Sequence, residues 1–219
     1  MALVLIGANN PETIRVINAI NRRPLIDVLG FIDNDPAKKG IDFFGYKVIG
    51  GFDVLPDLIK DHLFVNLITR DCITRYETSK YVAEKGGHFA NLIHPSVNLE
   101  MVEVGVGNYF QENVIIQAGV SIGNNSSIHM GSLIGHESKI GNSVFIAHGC
   151  NISGLIEIED GVFIGTGATF LPRIKIGKWS IIGAGTVITK NVPEYSVVAG
   201  VPGREIRQLE HKYTSGDIF

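Results

Sequence analysis

Residues 121–146 read "SIGNNSSIHMGSLIGHESKIGNSVFI". An isoleucine returns every six residues, at Ile122, Ile128, Ile134, Ile140 and Ile146. A period of six is neither the 3.6 of a helix nor the 2 of a half-buried strand. The same register holds Val104, Phe110 and Ile116 upstream and Ile152, Ile158, Ile164, Phe170, Ile176, Ile182 and Ile188 downstream. That is fifteen hexads without an insertion, twelve of them marked by isoleucine, and too regular for chance. Glycine often follows the apolar residue, at 105, 123, 135, 141, 165, 177 and 183. The repeat predicts an all-β parallel β-helix. Three hexads would close one triangular coil, with each apolar residue pointing inward and small residues turning the backbone at the edges. One coil cannot bury its own apolar column, so the fifteen hexads are expected to stack as five coils.

Upstream of this block the periods are different. "ALVLI" (Ala2 to Ile6) reads as a strand buried on both faces. A helix follows, with Asn10 as cap, Pro11 at its first position, and Ile14, Ile17 and Ile20 at helical spacing. Further strands are expected over Ile26–Asp33, Leu63–Thr69 and "HFANLIH" (88–94), with helices over 54–60 and 73–86. Strands alternating with helices imply βαβ units, here a small Rossmann-like α/β domain about half the usual size. The expected organisation is an α/β domain over 1–93, the β-helix over 94–200 and a tail over 201–219. The tail reads as a charged helical segment, with Ile206 and Leu209 at i, i+3, capping the open end of the coils.

Composition narrows the functional classes. A net charge of −3 supplies no field suited to nucleic acid or to a polybasic membrane patch. Two cysteines, Cys72 and Cys150, without a CxxC or a Cys/His cluster, imply neither disulfides nor a metal site. "MALVLIGANN" lacks a basic leader and a cleavage site, and no apolar run approaches a membrane span, so a soluble cytoplasmic protein is expected.

Within the repeat, "LIGHESKIG" (133–141) places His136 beside Glu137 while Ile134 and Ile140 keep the register. Read alone, the pair is two solvated edge residues. The chain, however, combines "NLIHPSV" (91–97), "GHESKIG" and "AGVPGREI" (199–206), and so resembles the left-handed β-helix acyltransferases. More narrowly, it is similar to bacterial sugar acetyltransferases of the pilin-glycan and sialic-acid type. The resemblance implies acetyl transfer from acetyl-CoA to a nucleotide-linked amino sugar, with His136 as general base and Glu137 orienting the ring. An imidazole suits that task because its ordinary pKa of about 6.5 lies near neutral pH. Relatives often carry a second histidine nine residues after the first. Here that position is Phe145, and His148 lies three residues further on.

The resemblance also implies a homotrimer with acetyl-CoA held between subunits. By position this assigns Gly154, Leu155, Gly183, Ala184, Lys190 and Arg204 to the donor. Lys190 and Arg204 would meet CoA phosphates, or are plain surface charges. The acceptor's nucleotide is assigned to Asn9, Asn10, Asp33, Asn34 and Arg70, with Arg75 also available. Relatives have a Gly-rich turn after the first strand, but in "GANNPE" only Gly7 remains. "FIDNDP" (31–36) ends the second strand where a base or ribose is read, or is simply a turn. Three readings stand: an N-acetyltransferase of a UDP-, dTDP- or GDP-linked amino sugar, a sugar O-acyltransferase, and a non-catalytic trimer that binds a nucleotide sugar.

Overall fold

The computed structural model describes residues 1–22, 26–69, 71–213 and 215–217. Its first part is a six-stranded sheet in the order β3-β4-β2-β1-β5-β6. The strands are β1 (Leu3–Ile6), β2 (Val28–Ile32), β3 (Asp42–Phe43), β4 (Tyr46–Gly50), β5 (Leu63–Asn66) and β6 (His88–Phe89). All neighbours run parallel except the β3–β4 hairpin. β1 is buried along its whole length, as its unbroken apolar run requires. Leu3 and Leu5 face α1 (Glu12–Ile20), whose Ile14, Val16 and Ile17 are buried, while Val4 and Ile6 face Leu55 of α2 (Leu55–Leu58) and Val82 of α3 (Cys72–Glu84).

Two details here differ from the sequence expectation. The β3–β4 hairpin was not foreseen, because its short strands carry no clean alternation. "HFANLIH" is not one strand: His88–Phe89 pairs with β5, whereas Leu92–Ile93 pairs with Tyr109–Phe110 and opens the β-helix. The chain passes between the two sheets across only two residues.

The hexads form three parallel sheets of two-residue strands. Partners are eighteen residues apart, as in Ile116↔Ile134↔Ile152↔Phe170↔Ile188. The inward residues make one continuous buried column. Each such side chain contributes roughly 1.5–3 kcal/mol of burial, so the column dominates the stability of this part. Three hexads per coil also sort the outward residues into three faces. The Glu103 face carries Glu103, Ser121, Lys139, Glu157 and Lys175 and is mostly solvated. The Tyr109 face carries Tyr109, Ser127, Phe145, Phe163 and Ile181, all buried. The Ile115 face carries Ile115, Leu133, Asn151, Thr169 and Val187, with Ile115 exposed.

Every hexad from 107 to 185 has a left-handed residue three positions after its apolar one. Glycine holds half of these places, and Asn113, Asn125, Glu137, Ser143, Leu155, Arg173 and Trp179 hold the others. On the edge between the Glu103 and Tyr109 faces, Asn124, Asn142 and Asp160 stack one per coil. Their Oδ1 atoms accept from the backbone N–H of Val106, Asn124 and Asn142 at 2.8, 2.8 and 2.7 Å.

The tail departs from the expected helix. Arg204–Gln208 is a strand, antiparallel to Ser196–Ala199. The last strand of the Tyr109 face would otherwise present an unpaired edge, and the tail supplies its hydrogen bonds. Ile206 is consequently exposed, while Leu209 and Tyr213 are buried. No helix among the described residues is long and apolar enough to cross a membrane.

Candidate active site

His136 and Glu137 stand on the edge between the Ile115 and Glu103 faces. His136 Nδ1 lies 2.9 Å from Glu137 Oε2, and both side chains are more than half exposed. A carboxylate facing a ring nitrogen accepts from it, so this contact places a proton on Nδ1 and leaves Nε2 turned away from Glu137. The backbone holds the pair on three sides. His136 N–H donates to Gln117 Oε1 at 2.9 Å, Leu155 N–H donates to the His136 carbonyl at 2.9 Å, and Glu137 N–H donates to the Ala118 carbonyl at 3.1 Å.

The ring rests on Gly154. A Cβ there would lie 2.6, 2.8 and 2.9 Å from Nε2, Cδ2 and Cε1 of His136, so only glycine leaves room for it. Glu137 is itself left-handed (φ 55°), at a position where the preceding coil has Gly119. That conformation costs an ordinary residue about 1–2 kcal/mol and aims the carboxylate back at the neighbouring imidazole.

The eighteen-residue coil decides which other expected residues share this edge. His136, Gly154, Pro172 and Lys190 form one column, with Leu155 and Arg173 beside it. Lys190 stands three coils from His136, ~14 Å at ordinary strand spacing. It lines a pocket of about 240 Å³ together with Arg204. Gly183 and Ala184 lie instead on the edge between the Tyr109 and Ile115 faces.

There they border a cavity of about 660 Å³, which Asn9 and Asn10 line from the N-terminal sheet. His129, His148, Phe145 and Phe163 form its floor. Phe145 and Phe163 stack at 4.9 Å, and the His129 ring meets Phe145 at 4.7 Å and His148 at 4.9 Å. His129 is buried; its Nε2 lies 3.1 Å from Ser127 Oγ, and its Nδ1 has no hydrogen-bond partner among the described residues. Burial, reinforced by His148 and Arg75, pulls its pKa down to about 3, so it is neutral. The lining groups are amides, hydroxyls, imidazoles, aromatic rings and the Glu12 carboxylate. No Lys or Arg is among its lining residues within the described part of the chain.

The remaining expected residues are engaged in the turns themselves. Asp33 accepts from Ala8 N–H at 2.9 Å, Asp35 N–H at 3.0 Å and Lys38 Nζ at 2.8 Å. Partial burial works to raise its pKa, but the Lys38 bond and the two amides outweigh it and the net shift is downward. Lys38 also donates to Asn9 Oδ1, and Asn10 Oδ1 accepts from Glu12 N–H at 3.0 Å. Asn34 Oδ1 accepts from Phe52 N–H at 2.9 Å. Arg70 lies outside the described residues. Arg75, read from sequence as available to a base, is fully buried and bonded to backbone carbonyls. The aromatic floor of the cavity had gone unassigned, although a signal for it exists. Tyr109, Phe145, Phe163 and Ile181 are large apolar residues at four of the five outward positions of one face, Ser127 being the fifth.

Comparison with known proteins identifies the repeat and its relatives. The family pattern described as "Bacterial transferase hexapeptide (six repeats)" matches residues 156–190. The pattern "Hexapeptide repeat of succinyl-transferase" matches 112–136. A serine acetyltransferase of Bacillus subtilis is 37% identical over 186 residues, covering 83% of this chain and 75% of that protein. PerB from Caulobacter crescentus, solved in complex with CoA and GDP-perosamine, is 26% identical with a TM-score of 0.78, covering 94% of this chain and 98% of PerB. The acetyltransferase domain of PglB from Neisseria gonorrhoeae has the same fold, with a TM-score of 0.83 at 22% identity, covering 94% and 99% of the two chains. An unbroken hexad column, a histidine–carboxylate pair presented on its edge, and these relatives together assign the chain to the hexapeptide-repeat, left-handed β-helix acyltransferases, enzymes that depend on acetyl-CoA.

Proposed function

We propose that the protein moves acetyl from acetyl-CoA to the amine of a nucleotide-linked amino-deoxy sugar. The observation that carries this reading is the His136–Glu137 pair, oriented by a 2.9 Å hydrogen bond and seated over Gly154. His136 Nε2 takes the proton of the attacking amine as the N–C bond forms. The C–S bond of the thioester breaks, and the same nitrogen returns the proton to the leaving thiolate. Glu137 holds the ring's orientation and stabilises the imidazolium. The donor runs along the column from His136 past Gly154 and Leu155 to Lys190 and Arg204, which meet its phosphates. The acceptor enters the cavity beside the Rossmann-like N-terminal sheet, where Asn9 and Asn10 lie. Its amides, hydroxyls and aromatic floor suit a sugar ring.

In one chain the His136 edge and the cavity edge border opposite sides of the Ile115 face. A cyclic trimer with that face toward its axis would set the His136 edge of one copy against the cavity of the next. Exposed Ile115, with Leu133 and Val187, makes that face apolar at both ends, with Asn151 and Thr169 between them. We place the enzyme in the cytoplasm, where its two buried free cysteines stay reduced.

The test is thiol release from acetyl-CoA with a panel of UDP-, dTDP- and GDP-linked 4-amino sugars. Release with at least one is expected, as is a loss of roughly 10²–10⁴-fold in His136→Ala. No release with any of them, or full activity in His136→Ala, overturns the reading. The serine acetyltransferase relative favours a second reading, a hydroxyl acceptor, and release with a hydroxyl sugar or serine alone would select it.

A further inference from the structure

Arg75, in α3, is the largest fully buried side chain of the protein among the described residues. Its guanidinium has five N–H donors, and each meets a backbone carbonyl. Nε donates to Asn125 at 2.7 Å. Nη1 donates to Asn66 at 2.6 Å and to Ile68 at 3.0 Å. Nη2 donates to Gly107 at 3.2 Å and to Ser126 at 3.4 Å. Its electrostatic neighbours are the Cys72 thiol and the Tyr109 phenol, not a carboxylate, and burial brings its pKa down to about 10. A buried cation held only by carbonyls is costly unless every donor is placed, so the geometry around it is tightly specified.

The five carbonyls come from the two bodies on either side of the large cavity, Asn66 and Ile68 from the N-terminal sheet and Gly107, Asn125 and Ser126 from the β-helix, next to residues that line it. Asn66 and Ile68 precede Thr69, which lines it, and the Ile68 side chain lies 3.4 Å from where a Cβ of Gly7 would be, in the turn that carries Asn9 and Asn10. Ser126 precedes Ser127, whose hydroxyl meets His129 on the cavity floor. A second set of bonds spans the same gap. Asn66 Nδ2 donates to Ser79 Oγ at 2.9 Å, Ser79 Oγ donates to Asn125 Oδ1 at 2.9 Å, and Asn125 Nδ2 donates to Ser143 Oγ at 2.9 Å.

We propose that Arg75 is a positioning residue: by bonding carbonyls of the N-terminal sheet and of the β-helix at once, it sets the width of the acceptor cavity between them. It touches no substrate. Its loss would shift the Asn9–Thr69 wall against the His129 wall while leaving the donor column, on another edge, in place. The inference rests on the reading that this cavity takes the acceptor.

The test uses the full chain carrying Arg75→Lys, with Ser79→Ala as a milder variant should the first not fold. For the nucleotide amino sugar that supports turnover, KM is expected to rise about 10- to 10²-fold in Arg75→Lys, with kcat and the KM for acetyl-CoA unchanged. Ser79→Ala should move acceptor KM in the same direction by less. Hydrogen exchange should quicken at 66–69 and 126–130 in both variants, and not in the inward hexad strands. An unchanged acceptor KM in a folded variant, both KM values rising together, or unaltered exchange in those two segments overturns the proposal. If the wild-type enzyme turns over no nucleotide sugar, the acceptor reading fails by itself, and the exchange experiment still decides whether Arg75 holds the two walls.

Discussion

Gly154→Ala separates the folding of the coil from the chemistry on its edge. The added Cβ would stand 2.6 Å from His136 Nε2, against an ordinary contact of 3.4–4 Å. The ring must therefore move by roughly 1 Å. The imidazole is more than half exposed, so it can yield toward solvent without disturbing the isoleucine column. Gly154 is not one of the left-handed positions, so alanine brings no backbone strain there. Stability should stay within about 0.5 kcal/mol of wild type or rise slightly. Catalysis cannot absorb the same displacement. A shift of ~1 Å would break the 2.9 Å bond to Glu137 and, in the proposed mechanism, take Nε2 off the path of the acceptor's proton. The expected loss in kcat is about 10²-fold, close to 3 kcal/mol of transition-state stabilisation. Thiol release at saturating substrates would measure it, beside a thermal melt of the same preparation. In a His136→Ala background the substitution should add almost nothing, since both act through one ring. A folded Gly154→Ala enzyme with wild-type kcat would refute the assignment of this ring position as the working one.

Two further outcomes follow from local geometry. Glu137→Gly removes a left-handed strain of about 1–2 kcal/mol and adds the chain entropy of glycine, so unfolding in urea should show a net change of roughly 0–1 kcal/mol toward stability. Its kcat should fall nonetheless, by part of the roughly 10²–10⁴-fold that a positioned base contributes. His129 is held neutral with a pKa near 3, whereas the unfolded chain takes up a proton below about 6.5. The stability it supports is complete above pH 6.5 and is lost as pH falls toward 3, on the order of 3 kcal/mol between pH 7 and 4. His129→Phe should flatten that slope in urea midpoints measured at the two pH values, and an unchanged slope would show that other groups set it.

The β-helix was legible because burial recurs at fixed sequence intervals. An inward isoleucine needs only its own register to be recognised, and Ile134 and Ile140 keep theirs on both sides of His136. The histidine–carboxylate pair was legible for a related reason, since adjacent residues need no fold to be neighbours. The tail misled because Ile206 and Leu209 have helical spacing, yet the open end of the Tyr109 face offered hydrogen bonds that a helix could not supply. Arg75 misled because a basic residue in the first turn of a helix resembles a ligand-binding one, and its five carbonyl partners are scattered from residue 66 to 126.

Column position is likewise local information. Counting eighteens from His136 leads to Gly154, Pro172 and Lys190, and separates them from Gly183 and Ala184. What no count contains is the face on which the N-terminal sheet settles. That is decided by long-range packing of Tyr109, Phe145, Phe163 and Ile181 beneath α1, α3 and the tail, and by the guanidinium that ties the two sheets together. Local periodicity thus sets the scaffold and its edges. The cavity exists only through contacts between residues far apart in the chain, because a space between two packed bodies belongs to neither sequence alone.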